Sequence, residues 1–435
     1  MKFSIIFIVL IFSLSSVSAS EFLMYLESAY KNNPTLNAER ENYKAIKENI
    51  NISKSEFLPS VSISKTKSSN QTFNRTDQIG VALPDTSNDV ATQSLSVDQK
   101  IFQGFQGYNL FKKSHLESEQ ALLKLKNTEQ QVLLKSAFAY YDLIYKIKNK
   151  KFNLADVDLF ERQVETDRSR LQKGEITLTD LAQSESSLAG ANANLISADT
   201  ELLSAESNFE RIIRMPSSDN ILKDNFTDSL NLNLSFPQGL NTALAFSEKN
   251  NLKLLLAKLD YEVAKKNVSI AKSKFSPLAS VNYTQSKNKD YSSTIDKTDQ
   301  EILKATLTIP IFSGGENYSS LKKSKFKKEQ SSLILQDIMN EVKTDTANSW
   351  SVYQSSQSIL EATQAQVKAA EIANEGITLE YDSGNTRTTL EVIQSRSLLL
   401  NARIAKAKAE SNFAISKFEL LAVLGDLTIK KIKKS

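Results

Sequence analysis

Glycine and proline are the residues whose placement most constrains this chain. Residues 108–173, and again 316–375, contain neither, in a sequence with only 11 Gly and 7 Pro. Glycine raises the entropic cost of a helix, and proline removes a donor and collides with the preceding turn. Both stretches are therefore free to run as single helices. At 1.5 Å per residue each would be a rod about 100 Å long. A rod of that length has to lie against others like it, and Ala-, Ser- and Leu-rich seams suit such packing.

The two stretches are halves of a repeat. Lys31-Asn32-Asn33 recurs as Lys249-Asn250-Asn251, and in that register Tyr43 meets Tyr261, Phe57 meets Phe275 and Pro59 meets Pro277. Further on, Ile101-Phe102 meets Ile311-Phe312, Gly104 meets Gly314, and Lys112-Lys113-Ser114 meets Lys322-Lys323-Ser324. Gly174 meets Gly384; one residue later in register, Asp180 meets Glu391 and Gln183-Ser184 meets Gln394-Ser395. The chain reads as a tandem duplication, with residues 20–214 the first copy, 241–424 the second, a connector at 215–240 and a tail at 425–435.

Within each copy the period changes. Helical spacing from Pro34 to Phe57 stops at Leu58-Pro59. Val61 and Ile63 then alternate with serines, a polar stretch covers residues 67–92, and alternation returns at Leu95, Val97 and Ile101. The second copy repeats this with Ala279, Val281 and Tyr283, then Ala305, Leu307, Ile309 and Ile311. Each copy thus holds one hairpin of strands near the 9–11 residues that cross an outer membrane, with a long polar loop. Four such strands cannot close alone, and open edges in lipid leave backbone groups unpaired at several kcal/mol each. Two copies of the chain would supply eight strands and three would supply twelve.

The first 19 residues carry one Lys, an apolar run from Ile5 to Leu14 and a small-residue end at Ser18-Ala19. That is the pattern of a secretory signal peptide, and the run is too short to span a bilayer. A formal charge of +4 from 54 basic and 50 acidic residues is too balanced for a nucleic-acid binder. No Cys and one His, His115, remove thiol catalysis and His- or Cys-based metal clusters. No nucleophile–base set or phosphate loop is present, so neither an enzyme nor a cofactor is expected.

One segment, Tyr381-Asp-Ser-Gly384-Asn-Thr386-Arg387-Thr388-Thr-Leu-Glu391-Val-Ile-Gln394, resembles the helix-tip motif of the TolC-type outer-membrane efflux proteins. Asn33-Pro34, Phe57-Leu58-Pro59 and the closing Leu424-Gly425 resemble other marks of that family. The resemblance implies an α+β membrane protein: a homotrimer with a 12-stranded outer-membrane β-barrel, four strands per protomer, continued by a long α-helical barrel. It further implies a small mixed equatorial domain around the connector and C-terminus, and work with a periplasmic adaptor and an inner-membrane transporter. At the periplasmic tip it implies that Tyr381 and Arg387 face Thr179 and Asp180 and hold the mouth shut. Glu391 and Gln394 would line that mouth, and the turns at Gly174 and Gly384 would receive the adaptor. Two departures stand out: an extra residue between Gly384 and Glu391, and Gln394 where an acid is common.

Asp180 and Glu391 have a plainer reading. Thr177-x-x-Asp180 and Thr388-x-x-Glu391 are also capping boxes that open the helix after each turn. The competing view of the whole chain is a periplasmic coiled-coil spacer without transport, and matched hairpins in both copies argue against it.

Overall fold

The computed structural model describes residues 17–217, 221, 234, 236–291, 295–383 and 387–433. Two compact units emerge: one gathers Glu41–Leu123 and Leu256–Asp337, the other the remaining segments up to Arg40, Lys124–Leu255 and from Ile338 onward.

The first unit carries the sheet. Its strands are β1 (Ser60–Thr72), β4 (Thr86–Gln103), β5 (Leu278–Lys289) and β6 (Lys297–Thr308), in the order β1-β4-β5-β6 and antiparallel throughout. A two-residue pair, β2 (Arg75–Thr76) with β3 (Ala82–Leu83), caps the first hairpin. The polar stretch 67–92, expected as a loop, is mostly strand: β1 and β4 stay in register out to Thr72↔Thr86. Backbone pairing needs no apolar side chain, and Ser and Thr alternate there as readily as Val would. The second hairpin falls short of expectation at its other end. β6 stops at Thr308, and Ile309 and Ile311 lie outside it, because Pro310 has no N–H to give a ladder.

Register makes the sheet two-sided, since directly opposed residues point to one face. Val61, Val97, Tyr283 and Leu303 form one continuous row across all four strands. The neighbouring row, on the other face, is Ser60, Asp98, Asn282 and Lys304, and the polar face continues as Ser64, Ser94, Ser286 and Gln300.

The second unit is helical, and its elements show the duplication residue for residue. The helices are α1 (Val17–Asn32), α2 (Pro34–Lys54), α3 (Gln106–Gln172), α4 (Leu178–Ile213), α5 (Leu240–Asn250), α6 (Leu252–Ser273), α7 (Glu316–Asp382), α8 (Thr389–Leu424) and α9 (Ile429–Ile432). Parts of α2, α3, α6 and α7 belong to the sheet unit. Both α3 and α7 have 67 residues, and both α4 and α8 have 36. The one-residue step in register between the copies is therefore an insertion in the second tip turn.

The core gathers Phe22 and Tyr25 of α1, Tyr140 and Tyr141 of α3, Phe209 of α4 and Phe418 of α8, all at most 1% exposed. Phe22, Tyr25, Leu26 and Ala29 follow the 3,4 spacing of one helical face. The sequence reading missed α1, whose start overlaps the leader-like segment. The tail at 425–435 packs back: Ile432 is buried and Lys433 pairs with Glu27 at 2.7 Å. Ile221 and Leu234, within the connector, are buried in this core as well. Trp350 is buried with Ala243, Leu420 and Leu424, as packing requires. His115 is exposed and meets the Phe111 ring edge-on.

Candidate functional site

The marked residues lie at the ends of α3 and α7 and the starts of α4 and α8. Gly174 closes α3 with a left-handed backbone (φ 75°), so Glu175 N–H can reach back to the Arg170 carbonyl at 2.9 Å. Gly384 and Thr386 lie outside the described residues. Both following helices open with complete capping boxes. Asp180 accepts from the Thr177 backbone N–H at 2.9 Å and the Thr177 hydroxyl at 2.8 Å, and Glu391 accepts from Thr388 at 2.8 and 3.1 Å. Those N–H donors hold both carboxyls below their usual range, Glu391 with help from Arg387.

Within the chain, Tyr381 and Arg387 do not reach Thr179 and Asp180. Arg387 pairs with Glu380 of α7 at 2.6 Å and with Glu391 of α8 at 3.0 Å. Its guanidinium is thereby held above its ordinary value. Tyr381 is buried and turns to a different acid, Asp167 of α3. Its hydroxyl donates to Asp167 Oδ1 at 3.1 Å and lies 3.1 Å from Thr389 Oγ1. Burial pushes the Tyr381 phenol up. Thr179 and Gln394 are exposed.

Asp167 is the hub the sequence reading missed. Fully buried, it also accepts from Ser184 Oγ at 2.5 Å and Gln163 Nε2 at 2.9 Å, and Arg170 stacks on the Tyr381 ring with its guanidinium carbon 4.6 Å from the centroid. One carboxylate thus ties α3, α4 and α7 together, and Tyr381 passes the link to α8. Three donors, with charge-assisted hydrogen bonds among the strong ones, offset the cost of burying it. Nearby, Asp156 is pushed up to about 6 by burial, against the pull of Arg396. Arg396 is lowered by burial, against the pull of Asp156, Asp382, Asp167 and Tyr381, and its Nη1 is buried with no acceptor among the described residues. The available signal was the seam itself. Asp156, Phe160, Gln163 and Asp167 recur at helical spacing, with polar residues where a packed helix ordinarily puts apolar ones.

Among the described residues no group of His, Asp and Glu could hold a metal ion, and no helix is long and apolar enough to cross a membrane. The class these features define is a duplicated chain of long paired helices carrying a four-stranded amphipathic sheet. The model of the outer membrane efflux protein family matches residues 25–213 and 245–426, and the chain belongs to that family. It is 26% identical over 416 residues to the outer membrane efflux protein BepC of Brucella suis, spanning 94% of this chain and 86% of the relative. With the outer membrane protein TolC of Escherichia coli it shares 23% over 432 residues, spanning 95% and 84%. The solved fold of the Campylobacter jejuni CmeC outer membrane channel superposes with a TM-score of 0.80 at 14% identity, covering 96% of this chain and 88% of that one. The Vibrio cholerae VceC structure gives 0.77 at 16%, covering 93% and 96%.

Proposed function

We propose that the protein is an outer-membrane, periplasm-spanning export duct for small molecules, for proteins of type I secretion, or for both. The single observation that carries this is the sheet: an apolar row on one face, polar rows on the other, and β1 and β6 each with an edge unpaired among the described residues. That is the lipid-out, lumen-in alternation of a membrane barrel short of strands. Three chains would supply the twelve strands of a homotrimer. A cleavable leader in residues 1–19 would take the chain out of the cytoplasm. The periplasmic adaptor would engage the Gly174 and Gly384 turns, and the inner-membrane transporter would be of the ABC, RND or MFS type.

In this reading the resting mouth closes through links inside each chain, centred on Asp167 and Tyr381. Asp180, Glu391, Thr179 and Gln394 ring the mouth, where threefold repetition of the carboxylates would favour cations. Arg387, held by Glu380 and Glu391, braces the second turn.

Mass measurement of the purified protein in detergent tests the assembly. The expected particle contains three chains; a monodisperse, fully helical monomer would refute the barrel.

A further inference from the structure

The face of the sheet that carries the apolar row does not stay apolar along its length. Toward the hairpin turns the next rows are Ile63, Leu95, Gln285 and Glu301, then Lys65, Gln93, Lys287 and Asp299, then Lys67, Ala91, Lys289 and Lys297. Five lysines therefore stand in two adjacent rows on one face, and all five are exposed. Among the ion pairs of the described residues only Lys67 has a carboxylate within reach, Asp89 at 3.8 Å. The opposite face at the same level is uncharged: Thr66, Thr92, Asn288 and Thr298.

Charge on a membrane sheet is costly at mid-depth on the lipid face and tolerable at its edge. The order of the rows is therefore a depth scale. Leu307, Val281 and Leu303 mark the hydrocarbon, and the lysine rows lie one and two steps of about 7 Å beyond Ile63. A surface that is apolar below and, with five lysines against Asp299, net cationic above matches a lipid whose acyl chains and phosphates are stacked in the same order. Clustered lysines are drawn to an anionic lipid surface.

We propose that Lys65, Lys67, Lys287, Lys289 and Lys297 form a binding surface for the phosphates of a phosphorylated glycolipid in the outer leaflet. This rests on the membrane reading of the sheet and adds a specific lipid chemistry to it. Each protomer contributes one such surface, and the bound lipid bridges lysines from both hairpins, so it joins the two copies of the repeat.

The test uses the full-length protein purified in neutral detergent. Heat stability of the assembled protein is followed as bisphosphorylated lipid A, its monophosphoryl form, phosphatidylcholine or inorganic phosphate is added. The bisphosphorylated lipid should stabilise most, the monophosphoryl form less, and phosphatidylcholine and inorganic phosphate not at all. Lys65→Gln/Lys67→Gln/Lys287→Gln should raise the lipid concentration needed about fivefold, since exposed charge contacts are individually weak. Lys322→Gln/Lys323→Gln, on α7, should leave it unchanged. The proposal is overturned if the sheet variant binds like the unmodified protein, if the α7 variant is the one that weakens, or if inorganic phosphate stabilises equally. A protein that forms no ion-conducting pore yet binds the lipid as described would refute the duct and leave the lipid surface standing.

Discussion

The two copies of the repeat end their last helix in the same left-handed conformation but with different residues. Arg214 closes α4 at φ 63° and Gly425 closes α8 at φ 76°. Backbone conformation alone does not separate the two sites. At Gly425 an added Cβ would lie 2.1 Å from the Asn250 carbonyl oxygen, so a second chain segment, rather than the helix end, demands glycine. The strand-to-helix corners differ in the same way. Gly104 and Gly314 are both left-handed, but only at Gly104 would a Cβ meet Ser276 and the Ser273 carbonyl, at 2.3 and 2.7 Å. The tips diverge in charge: Ser184 of α4 donates to the carboxylate of Asp167, while its counterpart Ser395 of α8 donates to the amide of Asn374 at 3.1 Å. Equivalent positions of the two copies keep the same backbone frame and differ in what packs against them.

Substitution at the two helix ends should separate them most sharply. Gly425→Ala should abolish most of the heat-stable assembled protein, whereas Arg214→Gly should change stability by less than about 1 kcal/mol. Thermal unfolding followed by circular dichroism reads both; similar losses would mean that conformation and not crowding governs the site. The charged tip should be the more fragile of the two. Asp167→Asn should cost about 1–3 kcal/mol by leaving buried donors mismatched, and Ser395→Ala less than about 1 kcal/mol. Equal costs would erase the difference between the tips. Thr177→Ala and Thr388→Ala should each cost about 1 kcal/mol through the lost cap, and near-identity of the two values is itself the prediction.

The smallest effect expected is on pH dependence. Asp156, raised to about 6 in the folded chain, holds its proton more tightly there than when unfolded. Its contribution is therefore fully present below the unfolded value near 3.9 and is lost as pH rises toward 6. Asp156→Asn should flatten the fall in melting temperature between about pH 4 and pH 6. An unchanged slope would assign it to another group.

Much of this was legible in the sequence, for reasons that differ by element. Gly- and Pro-free stretches located α3 and α7, and Gly174 with the Thr-x-x-acid spacing located the turns and caps, because those signals act within a few residues. The strand extensions were missed because 67–72 and 86–92 are polar and their pairing lies in the backbone. The link from Asp167 to Tyr381 joins residues 214 apart, and nothing local to either position announces it. The resemblance sets Tyr381 and Arg387 against Thr179 and Asp180 of a neighbouring helix pair; within one chain Arg387 meets Glu380 and Asp180 meets Thr177.

If the protein forms a trimeric duct, Asp167 inside each chain would hold its mouth. Single-channel recording in planar bilayers tests it most directly. The unmodified protein should insert as a low-conductance pore, Asp167→Asn should raise the conductance severalfold, and Arg387→Ser should raise it less, as expected when a two-state mouth loses part of its bias. A pore whose conductance is unaltered by Asp167→Asn, while its melting temperature falls, would make Asp167 a packing residue and contradict the account.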